Sequence, residues 1–377
     1  MSIQLLFSLI YQNIETILLV VFFVVAFVQI FYYLFFYSRI LMLKKNKTNS
    51  STFNKPVSVI IAAHNEADNL RQFLPLVLEQ DYPEFEVIVI NDRSEDETDT
   101  VILEFKKKYK HLKSTFINNN GKLTHGKKLA ITLGVKASAY DYVVLTDADC
   151  KPISNQWIKE MVQGFSSADI VLGYGPYFEE KSFLNKMIRF DTLFIALQYM
   201  TFAKAGVPYM GIGRNLAYKK ELFIQNKGLV SHAHLRSGDD DLFINEVANS
   251  KNTSLSVAPE SFVYSNPKTS FKEWIWQKQR HLTTFKRYKK HHKFLLATEV
   301  YSRMLFYILL IALSPIFINN YFFIGLAFLR FLLLMVMITY SSQFFNEKRI
   351  SLFAIFFDFI LPILNFFVYL VYPKLKD

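Results

Sequence analysis

Hydrophobic and polar residues divide the chain into three segments. Between Glu15 and Arg39 the chain has 23 consecutive uncharged residues. As a helix this run is long enough to cross a bilayer core of about 30 Å. It is too long for a signal-peptide core and no basic residue precedes it, so we predict an anchor at 1–43. Lys44, Lys45 and Lys47 follow, which predicts a cytoplasmic location for the next segment.

The C-terminal segment, 294–377, is apolar again and predicts about three membrane spans. The candidate spans are 299–319, 321–344 and 350–372, and the last is alternatively re-entrant. Arg330 and Asp358 fall inside these spans, where ionisable groups are costly. We expect either that they pair, or that one lines a lipid or glycan path. The alternative is that Arg330 snorkels and Asp358 lies near an interface.

The middle segment, 44–293, has 36 Lys/Arg and 27 Asp/Glu, the balance of a soluble domain. Short apolar runs alternate there with stretches that suit helices. The predicted order is strand 56–63, helix Ala67 to about Gln80, strand 85–90, helix Glu97 to Tyr109 and strand 141–146. This order is typical of an open parallel α/β sheet.

Polar residues follow each predicted strand, at the sheet edge where ligands bind in such folds. Asp147 and Asp149 follow the third strand, and both carboxylates can approach one hard cation such as Mg²⁺ or Mn²⁺. A single strand-end carboxylate is more often a helix cap, but three polar strand ends are harder to explain that way. The sequence has no GxxxxGK[ST] or GxGxxG segment, so P-loop and dinucleotide-binding interpretations lack their phosphate loop.

The net charge of +11 and the pI of about 9.3 first suggest a nucleic-acid or anionic-membrane partner. Eight Lys/Arg and one acid lie between Lys272 and Lys293, among aromatic residues. No nucleic-acid-binding motif accompanies them, so we predict an interfacial helix at about 270–292 and no nucleic acid. A second interfacial helix is predicted at about 183–205, with a buried core helix as the alternative. The lone Cys150 excludes an intramolecular disulfide.

Six segments, in order, resemble the membrane-bound family 2 glycosyltransferases, the group of the cellulose, chitin and hyaluronan synthases. They are VIIAAHNE (59–66), VINDRSED (89–96), DAD (147–149), GIGRNLAY (211–218), GDDDL (238–242) and QKQRH (277–281). The resemblance covers roughly 50–290 and the flanking spans. It implies an α/β GT-A-type fold, Rossmann-like with a mostly parallel sheet, between N- and C-terminal transmembrane helices.

The resemblance also implies roles for individual residues. Donor nucleotide contacts would come from Asn65, Glu66, Asp92 and either Lys127 or Lys128. The donor phosphate and its metal would lie at Asp147 and Asp149, and Gln277 and Arg280 would lie over the diphosphate. Asp239 would be the general base, with Asp240 in reserve, and Asn215 and His281 would lie on the acceptor side.

General chemistry fits these roles. Transfer from a nucleoside diphosphate needs the charge of the leaving group stabilised, which a metal and an Arg supply. Inversion at the anomeric carbon needs one base on the opposite face. The adjacent carboxylates Asp239, Asp240 and Asp241 raise one another's pKa. Their alternative role is to cap a helix over Leu242–Val247, in which Asp241 would be the capping residue.

We therefore predict an inverting glycosyltransferase of the bacterial cytoplasmic membrane, with its catalytic domain in the cytoplasm. The expected partners are a UDP-sugar, a divalent metal, membrane lipids, and a glycan or lipid acceptor. His281 stands where the family has a sugar-stacking Trp, which favours single transfer to a lipid over a processive polysaccharide synthase. A nucleotidyltransferase, or a transporter or scaffold, is the rival interpretation. The sugar, the acceptor and the oligomeric state are not predicted.

Overall fold

The computed structural model describes residues 3–44, 53–117, 126–235 and 237–371, and side chains from 13 to 370 within them. Lys45 and Lys47, on which part of the topology prediction rests, lie outside these ranges. The strands are β1 (Val57–Ala63), β2 (Phe85–Asp92), β3 (Leu112–Ile117), β4 (Tyr142–Asp147), β5 (Cys150–Pro152), β6 (Ile170–Leu172), β7 (Leu216–Lys219), β8 (Thr253–Leu255) and β9 (Val263–Ser265).

Helices surround the sheet and extend from both ends of the domain. They are α1 (Ile3–Phe31), α2 (Ala67–Leu78), α3 (Thr98–Lys108), α4 (Gly126–Ala137), α5 (Trp157–Val162), α6 (Phe183–Lys204), α7 (Lys220–Gln225), α8 (Asp241–Val247), α9 (Phe271–Leu282), α10 (Lys290–Phe317), α11 (Tyr321–Phe344) and α12 (Ala354–Val371). After α1 the chain continues as a π-helical turn and a 3₁₀ segment to Met42.

The main sheet has seven strands in the order β3-β2-β1-β4-β7-β6-β8. The first four are mutually parallel, and β7 is antiparallel to both of its neighbours. The three strands predicted from the sequence are β1, β2 and β4, whose apolar runs are buried on both faces as expected for central parallel strands. The polar ends of these strands therefore meet at one edge of the sheet.

The helix α6 lies between the sheet and the membrane-type helices. Its apolar residues, including Phe190, Leu197 and Phe202, are buried in the same core as residues of the sheet and of α11 and α12. Phe202 stacks on Phe36, 4.2 Å between ring centroids, in the segment after α1. Protein atoms cover the apolar residues of α6, which is the packing expected of the alternative, a buried core helix. The interfacial location of α6 stays a prediction.

The basic segment predicted as one helix at about 270–292 is divided. The helix α9 ends at Leu282, a 3₁₀ turn spans Thr284–Arg287, and α10 begins at Lys290. The side chain of Asp241 accepts hydrogen bonds from Thr284 Oγ1 (2.5 Å) and Tyr288 Oη (2.8 Å). These bonds hold the break between the two helices next to the carboxylate triplet Asp239–Asp241.

Four described segments are long and apolar enough to cross a membrane: Asn13–Met42, Lys290–Phe317, Tyr321–Phe344 and Ser351–Leu370. Their packing confirms the pairing that we expected for two charged residues. Arg330 Nη2 lies 2.5 Å from Asp358 Oδ2, and both side chains are completely buried. Tyr307 Oη donates to Asp358 (2.6 Å), and Arg303 lies 3.2 Å from both Asp358 and Glu299. Two guanidinium groups thus balance two carboxylates between α10, α11 and α12.

Candidate active site

The turns after β1 and β2 form the side of the site where the sequence predicts nucleotide binding. Asn65, with φ of 56°, donates its backbone N–H to Ser94 Oγ and accepts from the Glu95 N–H, so the two turns are joined. Asp92 is buried and accepts from Arg93 Nε at 2.9 Å. A Cβ on Gly126 would lie 2.4 Å from Asp92 Oδ2, so glycine permits α4 to begin there. A concavity of about 360 Å³ opens beside these turns.

The two carboxylates at the end of β4 form a candidate metal site. Ligand atoms of Asp147, Asp149 and Cys150 lie within 4.8 Å of one another. The Cys150 thiol is buried, and burial together with nearby Asp149 raises its pKa well above the ordinary value. It therefore stays protonated and donates to Asp149 Oδ1 at 3.4 Å. Two carboxylates without a thiolate are the ligands that Mg²⁺ and Mn²⁺ prefer, so the residues fit such a cation.

Lys127 joins this metal site to the carboxylate triplet. Its Nζ lies 2.7 Å from Asp147 Oδ1 and 3.5 Å from Asp239 Oδ2. Burial lowers the pKa of this ammonium, but the charges of Asp147, Asp239 and Asp240 outweigh that effect and raise it. Lys127 is therefore a permanent cation in the cleft. Glu66 interacts with the same carboxylates, since burial and the charges of Asp149 and Asp147 raise its pKa, against a hydrogen bond from Asn69 that lowers it.

Lys128, the alternative to Lys127, has a different role. Its buried Nζ donates to the carbonyl oxygens of His232 (2.5 Å) and Leu235 (3.0 Å). Burial lowers its pKa to about 8. Lys128 thus holds the loop that leads to Asp239, and it does not reach the cleft. Of the two lysines, Lys127 is the one that pairs with Asp147, and its contact with the donor stays a prediction.

The three carboxylates of the triplet differ in their hydrogen bonds. Asp240 caps α8 and accepts from the N–H groups of Asp241 (2.8 Å) and Gly213 (2.5 Å). The sequence assigns the cap to Asp241, whose Oδ1 accepts from the Leu242 N–H (2.9 Å) while its Oδ2 binds Thr284 and Tyr288 after α9. Asp239 is 11% exposed, and its Oδ2 accepts no hydrogen bond from the described residues. This buried oxygen lies 3.5 Å from Lys127 Nζ, so Asp239 is the member of the triplet with an oxygen that the described residues leave without a hydrogen bond.

The pKa values of the triplet also diverge. Burial and the neighbours Asp239 and Asp241 raise the pKa of Asp240 to about 7. For Asp239, burial raises the pKa. The charges of Lys127, Lys128 and Arg280 lower it by more, so the net shift is downward. At neutral pH Asp239 is consequently ionised, as a general base must be, and Asp240 is close to its titration midpoint.

The raised pKa of Asp240 predicts a pH-dependent stability. The pKa of Asp240 is about 4 in the unfolded chain and higher in the folded protein. Between these two pKa values the folded protein holds a proton on Asp240 that the unfolded chain has lost, so stability falls as the pH rises through this range. We expect the purified protein to melt roughly 2–4 °C lower at pH 8 than at pH 6 for this reason. Asp240→Asn should reduce that difference in a fluorescence melting curve, whereas exposed Asp68→Asn should preserve it. An unchanged difference in Asp240→Asn would contradict the assignment.

The helix α9 supplies the opposite wall of the cleft. Gln277 Nε2 donates to Tyr177 Oη at 3.1 Å, and Arg280 and His281 are exposed there. The charge of Arg280 acts on both Asp239 and His281, so the predicted phosphate and base residues share one space. The protein atoms around the ring, followed by the charges of Arg280 and Lys278, lower the pKa of His281. The imidazole is therefore neutral at physiological pH.

The prediction that Asn215 contacts the acceptor is wrong. This side chain is completely buried. Its Oδ1 accepts from Trp157 Nε1 (3.0 Å), and its Nδ2 donates to the carbonyls of Tyr174 (2.7 Å) and Ser261 (2.8 Å). With its amide fully used by the protein, Asn215 fixes the turn on which it lies. The preceding residue, Arg214, reaches the cleft instead, and sequence analysis assigned it no role.

Comparison with known proteins agrees with this architecture. Residues 58–226 match the model of glycosyl transferase family 2, so this part of the chain is similar to that family. The predicted α/β GT-A-type fold is confirmed by the solved mannosyltransferase PcManGT of Pyrobaculum calidifontis, in complex with GDP-Man and Mn²⁺. That structure superposes with a TM-score of 0.58 at 17% identity, covering 89% of this chain and 99% of that one.

Two known proteins share part of the sequence. Poly-beta-1,6-N-acetyl-D-glucosamine synthase of Staphylococcus epidermidis is 38% identical over 93 residues, 25% of this chain and 21% of that protein. The probable glycosyltransferase YdaM of Bacillus subtilis is 32% identical over 181 residues, 44% of this chain and 41% of the relative. The matched segments thus span less than half the length of either relative.

Proposed function

We propose that this protein is an inverting glycosyltransferase that uses a UDP-sugar and a divalent cation at the cytoplasmic face of a bacterial membrane. The acceptor is a hydroxyl group of a glycan or lipid. One observation carries the proposal: Lys127 contacts both Asp147 and Asp239, so the strand-end carboxylates and the triplet lie in one cleft. The names of the relatives support sugar transfer, and the family resemblance favours uridine as the base.

The donor would lie along the carboxyl ends of β1, β2 and β4. Its nucleoside would occupy the side near Asn65 and Asp92, next to a concavity of about 360 Å³ that the turn after β2 and the end of β3 line. Asp147 and Asp149 would hold Mg²⁺ or Mn²⁺, which would neutralise charge on the diphosphate. Lys127 and Arg280 approach the same place from opposite walls. Both cations would stabilise the negative charge that collects on the leaving diphosphate.

In the transfer step the acceptor oxygen attacks the anomeric carbon as the bond to the diphosphate oxygen breaks. The acceptor proton passes to Asp239, whose Oδ2 accepts no hydrogen bond from the described residues, and the bonding electrons leave with UDP. Asp240 positions this base, because its own oxygens are bound by the N–H groups of Gly213 and Asp241. His281 is neutral and would offer a hydrogen bond to the acceptor.

The four apolar segments would hold this domain at the membrane, with the basic residues of α9 and the following turn near anionic lipid headgroups. The helix α12 packs against α9, and Lys286 lies 5.3 Å from the Tyr369 ring centroid. The acceptor wall of the cleft is thus continuous with a membrane-type helix. This continuity favours an acceptor that arrives from the lipid surface.

Removal of one metal-binding carboxylate tests the donor site. We expect Asp149→Ala to weaken UDP binding in Mn²⁺ on the order of 100-fold, because the cation supplies several kcal/mol of charge stabilisation. Calorimetry on the purified protein measures this affinity with Mn²⁺ and with EDTA. The wild type in EDTA should resemble the variant, and Asp169→Ala, which removes a carboxylate paired with Lys219 on the surface, should bind UDP normally. Equal affinities of Asp149→Ala and wild type in Mn²⁺ would refute the metal role.

A further inference from the structure

Arg214 is presented to the cleft by two firmly held neighbours. The preceding Gly213 donates its N–H to Asp240, and a Cβ there would lie 3.2 Å from the Asp240 carboxylate. The following Asn215 is buried and bound on three sides. The short turn that carries Arg214 is therefore fixed both to the base-bearing loop and to the core of the domain.

The guanidinium of Arg214 is also held directly. Its Nε donates to the Gly175 carbonyl at 3.0 Å, Nη2 donates to the same oxygen, and Cζ lies 4.4 Å from the Tyr177 ring centroid. A Cβ on Gly175 would come within 2.4 Å of Nε, so glycine is needed at this position. A guanidinium has five N–H donors, and this arrangement leaves some of them for a ligand.

Arg214 has no carboxylate within ion-pair distance among the residues that the structure describes, unlike the other buried charges of the cleft. Lys127 pairs with Asp147, and Lys278 pairs with Asp191 at 2.7 Å. Arg280 is exposed and is assigned to the donor diphosphate. A half-buried cation without an ion-pair partner is costly. Arg214 thus has the properties of a cation that awaits an anionic ligand.

The location of Arg214 indicates which substrate carries that anion. Asp147, Asp149, Lys127 and Arg280 already surround the place of the donor diphosphate. Arg214 belongs instead to the turn bonded to Asp240, next to the proposed base Asp239, and in an inverting transfer the acceptor approaches on the side of the base. Its charge acts on His281, on the acceptor wall, and also on Asp147 and Cys150, so Arg214 lies between the acceptor wall and the predicted metal site. An acceptor without charge would leave Arg214 unpaired.

We propose that Arg214 binds a phosphate group of the acceptor, so that the acceptor carries both the attacking hydroxyl and a neighbouring phosphate. This inference rests on the proposed glycosyltransferase activity and names the acceptor class. The planar guanidinium of Arg can donate two parallel hydrogen bonds to two oxygens of one phosphate. The ammonium of Lys cannot reproduce this geometry. The group is a lipid phosphate headgroup or a soluble phosphate ester, and both have the same chemistry at Arg214.

The test uses the full chain in vesicles of total bacterial lipid together with a soluble bacterial extract, and a radiolabelled sugar from the UDP-sugar that the protein binds. We expect the labelled product to be retained on an anion exchanger. Partition into an organic phase identifies a lipid acceptor, and the aqueous phase a soluble one. Arg214→Met should lower transfer by about 30-fold or more while UDP affinity is retained. Arg214→Lys should keep only part of the transfer activity. Gly175→Ala should lower transfer as much as Arg214→Met, because the added Cβ displaces the guanidinium although its charge is still present.

The outcomes separate this inference from the proposed function. If the wild type releases UDP but its labelled product is not retained on the anion exchanger, the phosphate inference fails and the glycosyltransferase remains. If Arg214→Met loses UDP affinity and transfer equally, the residue serves the donor and the inference is wrong. If no UDP-sugar is turned over at all, the proposed function itself fails. Arg71→Met, which changes an exposed guanidinium paired with Asp68 and Glu97, is the matched control.

Discussion

Asp239→Asn should lower the rate of sugar transfer by about 10³-fold. The amide has nearly the shape of the carboxylate but cannot accept the acceptor proton. Asp239 is the appropriate target because its Oδ2 is free of hydrogen bonds from described residues and because its pKa is held below the usual range. UDP affinity should change little, since Lys127 keeps its 2.7 Å contact with Asp147. Steady-state UDP release and calorimetry measure the two quantities separately.

The neighbouring residue provides the matched control. Asp240→Asn removes a carboxylate one position away, but the oxygens of Asp240 already accept from Gly213 and Asp241. We therefore expect a smaller loss, on the order of tenfold, from disturbed positioning. If Asp240→Asn abolishes transfer while Asp239→Asn retains it, the base has been assigned to the wrong residue. Exposed Asp68→Asn should have no effect.

The second large effect is expected between the membrane-type helices. Arg330→Met or Asp358→Leu alone should destabilise the protein by about 3–5 kcal/mol, because each leaves an uncompensated charge in the interior. The pair is completely buried, and Arg330 also donates to Tyr307 Oη (3.2 Å) and Gln29 Oε1 (3.3 Å). Unfolding in detergent micelles followed by fluorescence measures the loss.

The double variant Arg330→Met/Asp358→Leu should recover most of the stability. It removes both charges, and Arg303 keeps Glu299 as its partner at 3.2 Å. Arg349→Met is the control, because this arginine is exposed in the turn between α11 and α12. If the losses in the single variants simply add in the double variant, the two residues do not form the energetic pair that the structure shows.

The sequence predicted the central sheet and missed its periphery for a physical reason. The strands β1, β2 and β4 are continuous apolar runs, which only a buried parallel strand explains. The strand β3, Leu112–Ile117, lies at the sheet edge with exposed residues, so its pattern carries little signal. Short strands such as β6 and β8 pair only three residues each and are below the length at which periodicity is informative.

At the site, the strand-end residues came together as their positions predicted, because parallel strands share one edge. The roles of Lys128 and Asn215 could not be predicted, since they depend on carbonyl groups and a tryptophan distant in the sequence. Arg214 lies beside Asn215 in the same motif and gave no separate signal. What distinguishes it is the Gly175 carbonyl and the Tyr177 ring, which only the folded chain places beside it.

The pairing of Arg330 with Asp358 is an intermediate case. Charge within an apolar span indicated a partner. The packing of α11 and α12 determines which partner it is, because both groups face inward and meet there.

The most direct test of the account is the anomeric configuration of the product. Purified protein is incubated with Mn²⁺, total bacterial lipid and a panel of α-linked UDP-sugars, with GDP-mannose as a comparison, and the product is examined by NMR and mass spectrometry. The account predicts release of UDP and a β-linked sugar on the acceptor from one UDP-sugar, with both lost in Asp239→Asn. An α-linked product, or release of inorganic diphosphate in place of UDP, would contradict it.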